Sequence, residues 1–353
     1  MKLYDNKIYQ EDIKTVANLN LPWEKLQNKS ILLSGATGML GSFLIDVLQY
    51  KNEIDDLSCL VFGLCRDAEK AEERFGNRIN KNNIKILSCD VVTPLIDIPV
   101  SHVDYVLHLA SNTHPLQYSE DPIGTITTNI IGLKNMLDYA VASNAERFLF
   151  ASSVEIYGEN KGDTEKFKED YLGYIDCNTL RAGYPESKRA GEALCQAYLK
   201  QKKLDIVIPR LARTYGPSML ETDTKAISQF IKNGVANEDI ILKSEGAQLY
   251  SYVYVADAVS GLLTCLLLGK SGEAYNVSDS GSEISLRDLA ELISDYVGKK
   301  VVYETPEIIE AAGYSKATKA ILDSSKLRDL GWKPNFNVNE GLVHTIDILK
   351  EIE

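Results

Sequence analysis

Ile31-Leu32-Leu33-Ser34-Gly35-Ala36-Thr37-Gly38-Met39-Leu40-Gly41 is the stretch that decides the fold. A short apolar run, read as a buried strand, gives way to helical spacing from Met39 to Tyr50. Three glycines stand at the turn between them. Gly35 permits a tight turn, Gly38 lets backbone approach a pyrophosphate, and Gly41 lets the helix pack closely on the sheet. The first N–H groups of a helix lack partners and lie at the positive end of its dipole, so an anion is favoured there. By itself a G-x-x-G-x-x-G run is also compatible with a plain turn. Its place between strand and helix predicts a dinucleotide held by Gly35, Thr37, Gly38, Met39, Leu40 and Gly41.

Downstream, short apolar runs alternate with amphipathic helices. Residues 60–64, 84–87, 105–109, 147–151 and 205–208 read as strands, and 126–142 and 186–200 as helices. That alternation implies parallel strands joined by crossovers. The expected fold is α/β, a Rossmann-like doubly wound parallel sheet with its ligand at the carboxyl ends of the strands. After about Arg210 the alternation lapses, leaving helices near 257–268 and 286–297 and a polar tail. The expected organisation is an N-terminal arm over 1–29 containing a helix, a dinucleotide-binding domain over 30–210, and a smaller C-terminal lobe over 211–353. That lobe is expected to bind substrate in the cleft it makes with the first, with the chain free to cross between lobes.

Composition narrows the function classes. The chain has 353 residues, 44% hydrophobic and 25% charged, which is ordinary for a globular protein. A net charge of -12 disfavours nucleic acid and anionic membrane as partners. It leaves room for a local basic pocket and an anionic small substrate. The six cysteines form no C-x-x-C pair and read as reduced core residues. His102, His108 and His114 are six apart, a spacing that does not share a helix face, so no metal is expected. Residues 1–10 hold no apolar leader, and the apolar stretch 262–268 is too short to span a bilayer. The expectation is a cytoplasmic protein without a membrane partner.

The chemistry-bearing residues lie in two further segments. Tyr184-Pro185-Glu186-Ser187-Lys188 puts a phenol and an ammonium four apart, on one helix face. A free tyrosine, with a pKa of about 10, is a poor base at neutral pH. A neighbouring ammonium and a positive nicotinamide both favour phenolate, so the Tyr184 pKa is expected to fall. Tyr184 then takes the proton from a hydroxyl as hydride leaves carbon, while Lys188 also holds the nicotinamide ribose. Ser152-Ser153-Val154-Glu155-Ile156-Tyr157-Gly158 follows the fifth strand, where Ser153 can align the reacting oxygen with Tyr184. Leu64-Cys65-Arg66-Asp67 closes the second strand, where an acid commonly meets the ribose 2′-hydroxyl. Arg66 suits a 2′-phosphate and tilts NAD(P) towards NADP; Asp67, or a pair of solvated loop charges, is the competing reading. Asp90 and Val91, after the third strand, are placed at the adenine edge, with a capping role for Asp90 as the alternative.

In this order the segments resemble the extended short-chain dehydrogenase/reductase family, in its nucleotide-sugar epimerase/dehydratase branch. The glycine turn, Leu107-His108-Leu109-Ala110-Ser111, the segments 152–158 and 184–188, and residues 210–217 and 325–334 carry the resemblance. Within the branch, Pro115-Leu116-Gln117-Tyr118 and Ser153 to Gly158 look like the active-site segments of UDP-glucuronate decarboxylases. The resemblance implies cofactor contacts at Leu109, Ala110 and Ser111, substrate contacts at Tyr118 and Ser153, and a homodimer through the helices 126–142 and 186–200. It also implies a nucleotide sugar, or a related phosphorylated sugar, oxidised to a 4-keto intermediate. Three positions depart from the pattern. Dehydratases carry Asp-Glu and decarboxylases Ser-Glu where this chain has Val154-Glu155. Tyr250 replaces the arginine that binds the nucleotide diphosphate. Arg213 replaces an asparagine, and is expected to move positive charge to a neighbouring wall or to pair with a structural carboxylate. Glu155 speaks against a plain 4-epimerase, which has Thr there. The expected activity is decarboxylation, epimerisation or dehydration with a recycled cofactor. Two alternatives stay open: a reductase or dehydrogenase making a sugar or alditol donor for surface polysaccharide with net cofactor turnover, and a non-catalytic nucleotide-binding protein.

Overall fold

The computed structural model describes residues 2–79, 83–95, 100, 102–113, 115–306, 314–315 and 317–352. Apolar runs too short for helices form the main sheet: β1 (Ser30–Ser34), β2 (Leu60–Cys65), β3 (Ile84–Ser88), β4 (Tyr105–His108), β5 (Arg147–Phe150), β6 (Ser152–Ser153) and β7 (Ile206–Leu211). Its strands are parallel in the order β11-β7-β5-β4-β1-β2-β3, where β11 is Ala274–Val277, and β6 extends along β7. β1 lies between β2 and β4, so the chain changes direction there and leaves a crevice at the carboxyl ends of β1 and β4. Ser34 Oγ ties that point together. It bonds His108 Nδ1 at 2.8 Å and accepts the backbone N–H groups of Leu109 and Ala110 at 3.2 Å each.

The helices around this sheet follow from their burial patterns. α1 (Lys7–Ala17) is capped by Asn6, whose side chain accepts the Tyr9 N–H. Its Tyr9, Ile13, Val16 and Ala17 are fully buried at helical spacing, so the N-terminal arm belongs to the core. α2 (Met39–Asp55) carries Asp46, a fully buried carboxylate. Asp46 accepts from Tyr9 Oη at 2.8 Å, Arg74 at 2.5 Å and Arg78 at 2.6 Å. Arg74 lies on α3 (Ala68–Phe75). The helix expected over 126–142 starts earlier and runs unbroken: α5 (Pro122–Thr127) passes through a wide π turn (Thr128–Gly132) into α6 (Leu133–Ala142), with α4 (Pro115–Glu120) just before it. Ile123, Ile126 and Ile131 on this stretch face solvent. α7 (Gly183–Lys202) extends the expected 186–200 helix at both ends.

Beyond β7 the chain alternates between lobes. β8 (Arg213–Tyr215) already belongs to a second sheet, paired with β10 (Leu249–Tyr254), which also takes up β12 (Glu283–Ser285) and β14 (Lys319–Ala320). α8 (Ala226–Val235), β9 (Ile240–Leu242), α10 (Leu286–Val297) and β13 (Val301–Tyr303) complete that lobe. Between them, α9 (Val255–Leu268) is buried on every side up to Leu267, as a helix apolar all round must be, and β11 returns to the main sheet. Among the described residues no helix is long and apolar enough to cross a membrane. Two cysteines differ from the core reading: Cys177 is exposed in a turn, and Cys89, just past the end of β3, is half-buried at the edge of the core.

Candidate active site

The crevice above β1 and β4 opens into a cavity of about 400 Å³. Gly35, Gly38, Met39, Leu40, Gly41, Leu109 and Ser111 line one end. The glycines are sterically required at two positions. Gly35 has φ +75°, and a Cβ there would lie 2.9 Å from the Ala110 nitrogen; one on Gly41 would lie 2.2 Å from the Gly35 carbonyl oxygen. Gly38 caps α2 without any side-chain hydrogen bond, so the first N–H groups of that helix have no side chain competing for them. These residues fit the pyrophosphate of a dinucleotide. Thr37 and Ala110 are half-buried at the edge and do not line the cavity.

The other cofactor candidates are placed differently. Arg66 is exposed. Asp67 is occupied as the N-cap of α3, accepting from the Glu69 and Lys70 N–H groups at 3.0 and 3.2 Å. Asp90 accepts the Val92 N–H at 3.1 Å and so closes its own turn, while Val91 is buried with its carbonyl bonded to Asn135 at 2.9 Å. Arg66, Asp90 and Val91 are not among the cavity-lining residues.

The catalytic candidates converge on the opposite side. α7 brings Tyr184 and Lys188 into the interior one helical turn apart. Lys188 Nζ donates to the Ala151 carbonyl at 2.9 Å and stands 5.9 Å from the Tyr184 ring centre. Burial pushes the Lys188 pKa down to about 8. Tyr184 departs from expectation: burial drives its pKa up to about 12, outweighing the hydrogen bond with Ser153 and the charge of Arg181. Phenolate therefore needs a further positive charge beside it, which a bound nicotinamide would bring. The first turn of α7 is anchored through the π turn. Ser111 Oγ donates to Asn129 Oδ1 at 2.6 Å, Asn129 Nδ2 donates to Ser187 Oγ at 2.8 Å, and Ser187 Oγ donates to the Tyr184 carbonyl at 2.8 Å. A π turn widens the helix locally and often marks a functional site. Here it aims Asn129 between the cofactor loop and the tyrosine. Behind Lys188, Glu192 accepts from Ser152 Oγ at 2.6 Å and from Arg210 at 3.0 and 2.7 Å.

His108 is fully buried behind this wall, its pKa pushed down to about 3 by burial and then by Lys188, so it is neutral. His102 bonds the Ser143 carbonyl, and His114 lies outside the described residues. Among the described residues no group of His, Cys, Asp and Glu could hold a metal ion.

Glu155 sits at the centre of a cationic cage. Arg181 Nη2 donates to its Oε2 at 2.7 Å, and Arg213 Nη2 stands 3.7 Å from Oε1. Burial alone would raise its pKa; the two guanidiniums, Arg181 first, outweigh burial and hold the carboxyl below its ordinary value. Tyr118 closes the site, its ring centre 4.8 Å from that of Tyr184 and 4.5 Å from the Arg181 guanidinium. Tyr250 is buried, with Arg213 stacked on its ring at 3.4 Å. Val154 is buried and apolar. The sequence reading brought Ser153, Glu155, Tyr184, Lys188, Tyr118, Arg213 and Tyr250 together but missed Arg181. Its signal was its position three residues before Tyr184, at the turn entering α7.

Comparisons with known proteins give the family and the fold. The NAD dependent epimerase/dehydratase family matches residues 31–278. UDP-glucuronic acid decarboxylase 1 of Xenopus tropicalis is 33% identical over 327 residues, covering 92% of this chain and 73% of that protein. UDP-glucuronic acid decarboxylase 3 of Arabidopsis thaliana is 32% identical, covering 89% of this chain and 87% of its own length. In fold, the chain resembles the UDP-glucuronic acid 4-epimerase of Bacillus cereus, solved with UDP-glucuronic acid and NAD. The TM-score is 0.79 at 22% identity, covering 92% of this chain and 100% of that one. It also resembles the dTDP-glucose 4,6-dehydratase of Streptomyces venezuelae, solved with NAD, with a TM-score of 0.78 at 22% identity over 91% of this chain and 97% of that one. With a glycine turn that fits a dinucleotide, Tyr184 facing it across one cavity with Lys188 buried behind, and a family match over most of its length, the chain is an enzyme of the NAD-dependent epimerase/dehydratase family.

Proposed function

We propose that the protein binds NAD and a nucleotide-linked sugar in this cavity, oxidises the sugar at C4, and returns the hydride after the resulting 4-keto sugar has reacted. The observation that carries the reading is the meeting of Ser153, Glu155, Arg181 and Tyr184 on one wall, facing the glycine turn. Bound there, NAD supplies a hydride acceptor and a positive charge beside the tyrosine. Tyr184 takes the hydroxyl proton, Ser153 holds the reacting oxygen in line, and Lys188 places positive charge behind the phenol. Tyr118 and the buried ring of Tyr250 exclude water from the sugar. NAD is the proposed form, rather than the NADP that Arg66 suggested, because Arg66 is exposed and not built into the cavity.

The cage around Glu155 supports a choice among outcomes. Elimination of water needs an acid beside a base. Val154 supplies neither, and Glu155 is held ionised by Arg181 and Arg213, so dehydration is disfavoured. Decarboxylation or epimerisation of the 4-keto sugar needs no acid at position 154. The test is turnover of UDP-glucuronate by NAD-loaded protein, followed by absorbance at 340 nm and product mass. The expected result is product formed with no net NADH. NADH accumulating one for one with product would replace this reading with a dehydrogenase.

A further inference from the structure

The cavity wall around Glu155 carries a charge that the family pattern places elsewhere. Arg213 lies opposite Tyr252 in the β8–β10 pairing, so Tyr250, two residues along β10, shares its face. The Arg213 guanidinium lies 3.4 Å from the centre of the Tyr250 ring. That ring is fixed in turn, its hydroxyl donating to the Ala317 carbonyl at 2.7 Å. Stacking on a fixed ring holds a long, mobile side chain at one point.

From that point Arg213 is only partly satisfied. Its Nη2 is 3.7 Å from Glu155, beyond hydrogen-bond range, and its Nη1 is buried without a partner among the described residues. Arg181, on the other side of Glu155, leaves Nε and Nη1 buried without partners among the described residues. Two guanidiniums around one carboxylate leave one net positive charge and three unpaired donor nitrogens. Buried charged donors without acceptors are costly, and a ligand with two acceptor oxygens and a negative charge would satisfy them.

Location selects among such ligands. Ser153 and Tyr184 mark the reacting carbon, and the charges of Glu155 and Arg181 both act on Tyr184. Arg181 lies 4.5 Å from the Tyr118 ring that packs on Tyr184, and Arg213 lies across Glu155 from it, so the donors of Arg181 and, beyond them, of Arg213 fall on the C4 side. The diphosphate of a nucleotide sugar hangs from the anomeric carbon, across the ring. A carboxylate at C6 lies two bonds from C4, on the near side.

We infer that Arg213, stacked on Tyr250 and acting with Arg181, is the specificity-determining clamp for a carboxylate borne by the sugar itself. The substrate is then a nucleotide-linked uronic acid, and the arginine takes no part in holding the diphosphate. This rests on the proposed oxidation at C4. The test compares NAD-loaded wild type with Arg213→Asn and Arg213→Lys, measuring KM and kcat for UDP-glucuronate and UDP-glucose and Kd for UDP alone. Wild type should prefer UDP-glucuronate. Arg213→Asn should raise its KM about 10- to 100-fold, leave UDP binding within about twofold, and erase the preference over UDP-glucose. Arg213→Lys should recover part of it, which a merely structural loss would not show. Equal weakening of UDP alone would overturn the inference by assigning Arg213 to the diphosphate. Turnover of UDP-glucose as readily as UDP-glucuronate by wild type would overturn it too, leaving oxidation at C4 standing. Binding of neither sugar nucleotide to wild type would overturn both.

Discussion

Replacing Tyr184 by Phe should lower kcat about a thousandfold while leaving NAD binding and the melting temperature nearly unchanged. General acid–base catalysis contributes about 10²–10⁴-fold, and Tyr184 is the buried hydroxyl that shares a hydrogen bond with Ser153 beside the cofactor turn. The ring's packing against Tyr118 survives the substitution, because Phe keeps the same aromatic body. Steady-state rates with a nucleotide sugar, and fluorescence titration with NAD, separate the two effects. The pH profile follows from the same groups. Burial holds the Tyr184 pKa at about 12, so the base form grows with pH and kcat/KM should rise about tenfold per unit through neutrality. Lys188 loses its proton above about pH 8, removing positive charge from behind the phenol, so the rise should level off there. The positive charge of bound NAD moves the rising limb to lower pH without changing its sign. In Lys188→Met the levelling should vanish and the whole profile should drop.

Asp46→Ala should destabilise the protein by about 3–5 kcal/mol, the cost of removing one partner from a buried ion pair. The carboxylate is fully buried on α2, the helix that carries the phosphate turn at its start. It takes hydrogen bonds from Arg74, Arg78 and Tyr9, so its loss strands two guanidiniums in the interior. Among the described residues, Arg74 already has two buried nitrogens without partners. The urea midpoint should fall steeply, and Asp46→Asn should fall less, since the amide still accepts hydrogen bonds. Equal stability in all three proteins would mean that the cluster contributes nothing to holding α1, α2 and α3 together.

Much of the architecture was legible because local demands wrote it. The glycines at 35 and 41 are sterically required, and such a requirement is visible in sequence. Tyr184 and Lys188 were legible because helical spacing alone puts them on one face. Arg181 was not, because its meaning depends on Glu155, 26 residues earlier, reaching it through the fold. Nor could the direction of the Tyr184 shift be read, since burial rather than the neighbouring charge dominates it. The role of Arg213 was legible only as two alternatives, wall charge or structural pairing. The structure contains elements of both, because cross-strand register sets it on Tyr250 and near Glu155 at once. A crossing between lobes was legible, but its place at β11 was not, because four residues, 274–277, carry too little pattern to distinguish a buried strand from a loop.

The central claim, oxidation at C4 with the same hydride returned, is tested most directly by a nucleotide-linked uronic acid carrying deuterium at C4. NAD-loaded protein should process it with a primary isotope effect and deliver product that keeps the deuterium at C4, with no net NADH. Turnover without an isotope effect, or product whose deuterium has left for solvent or for released NADH, would contradict the account.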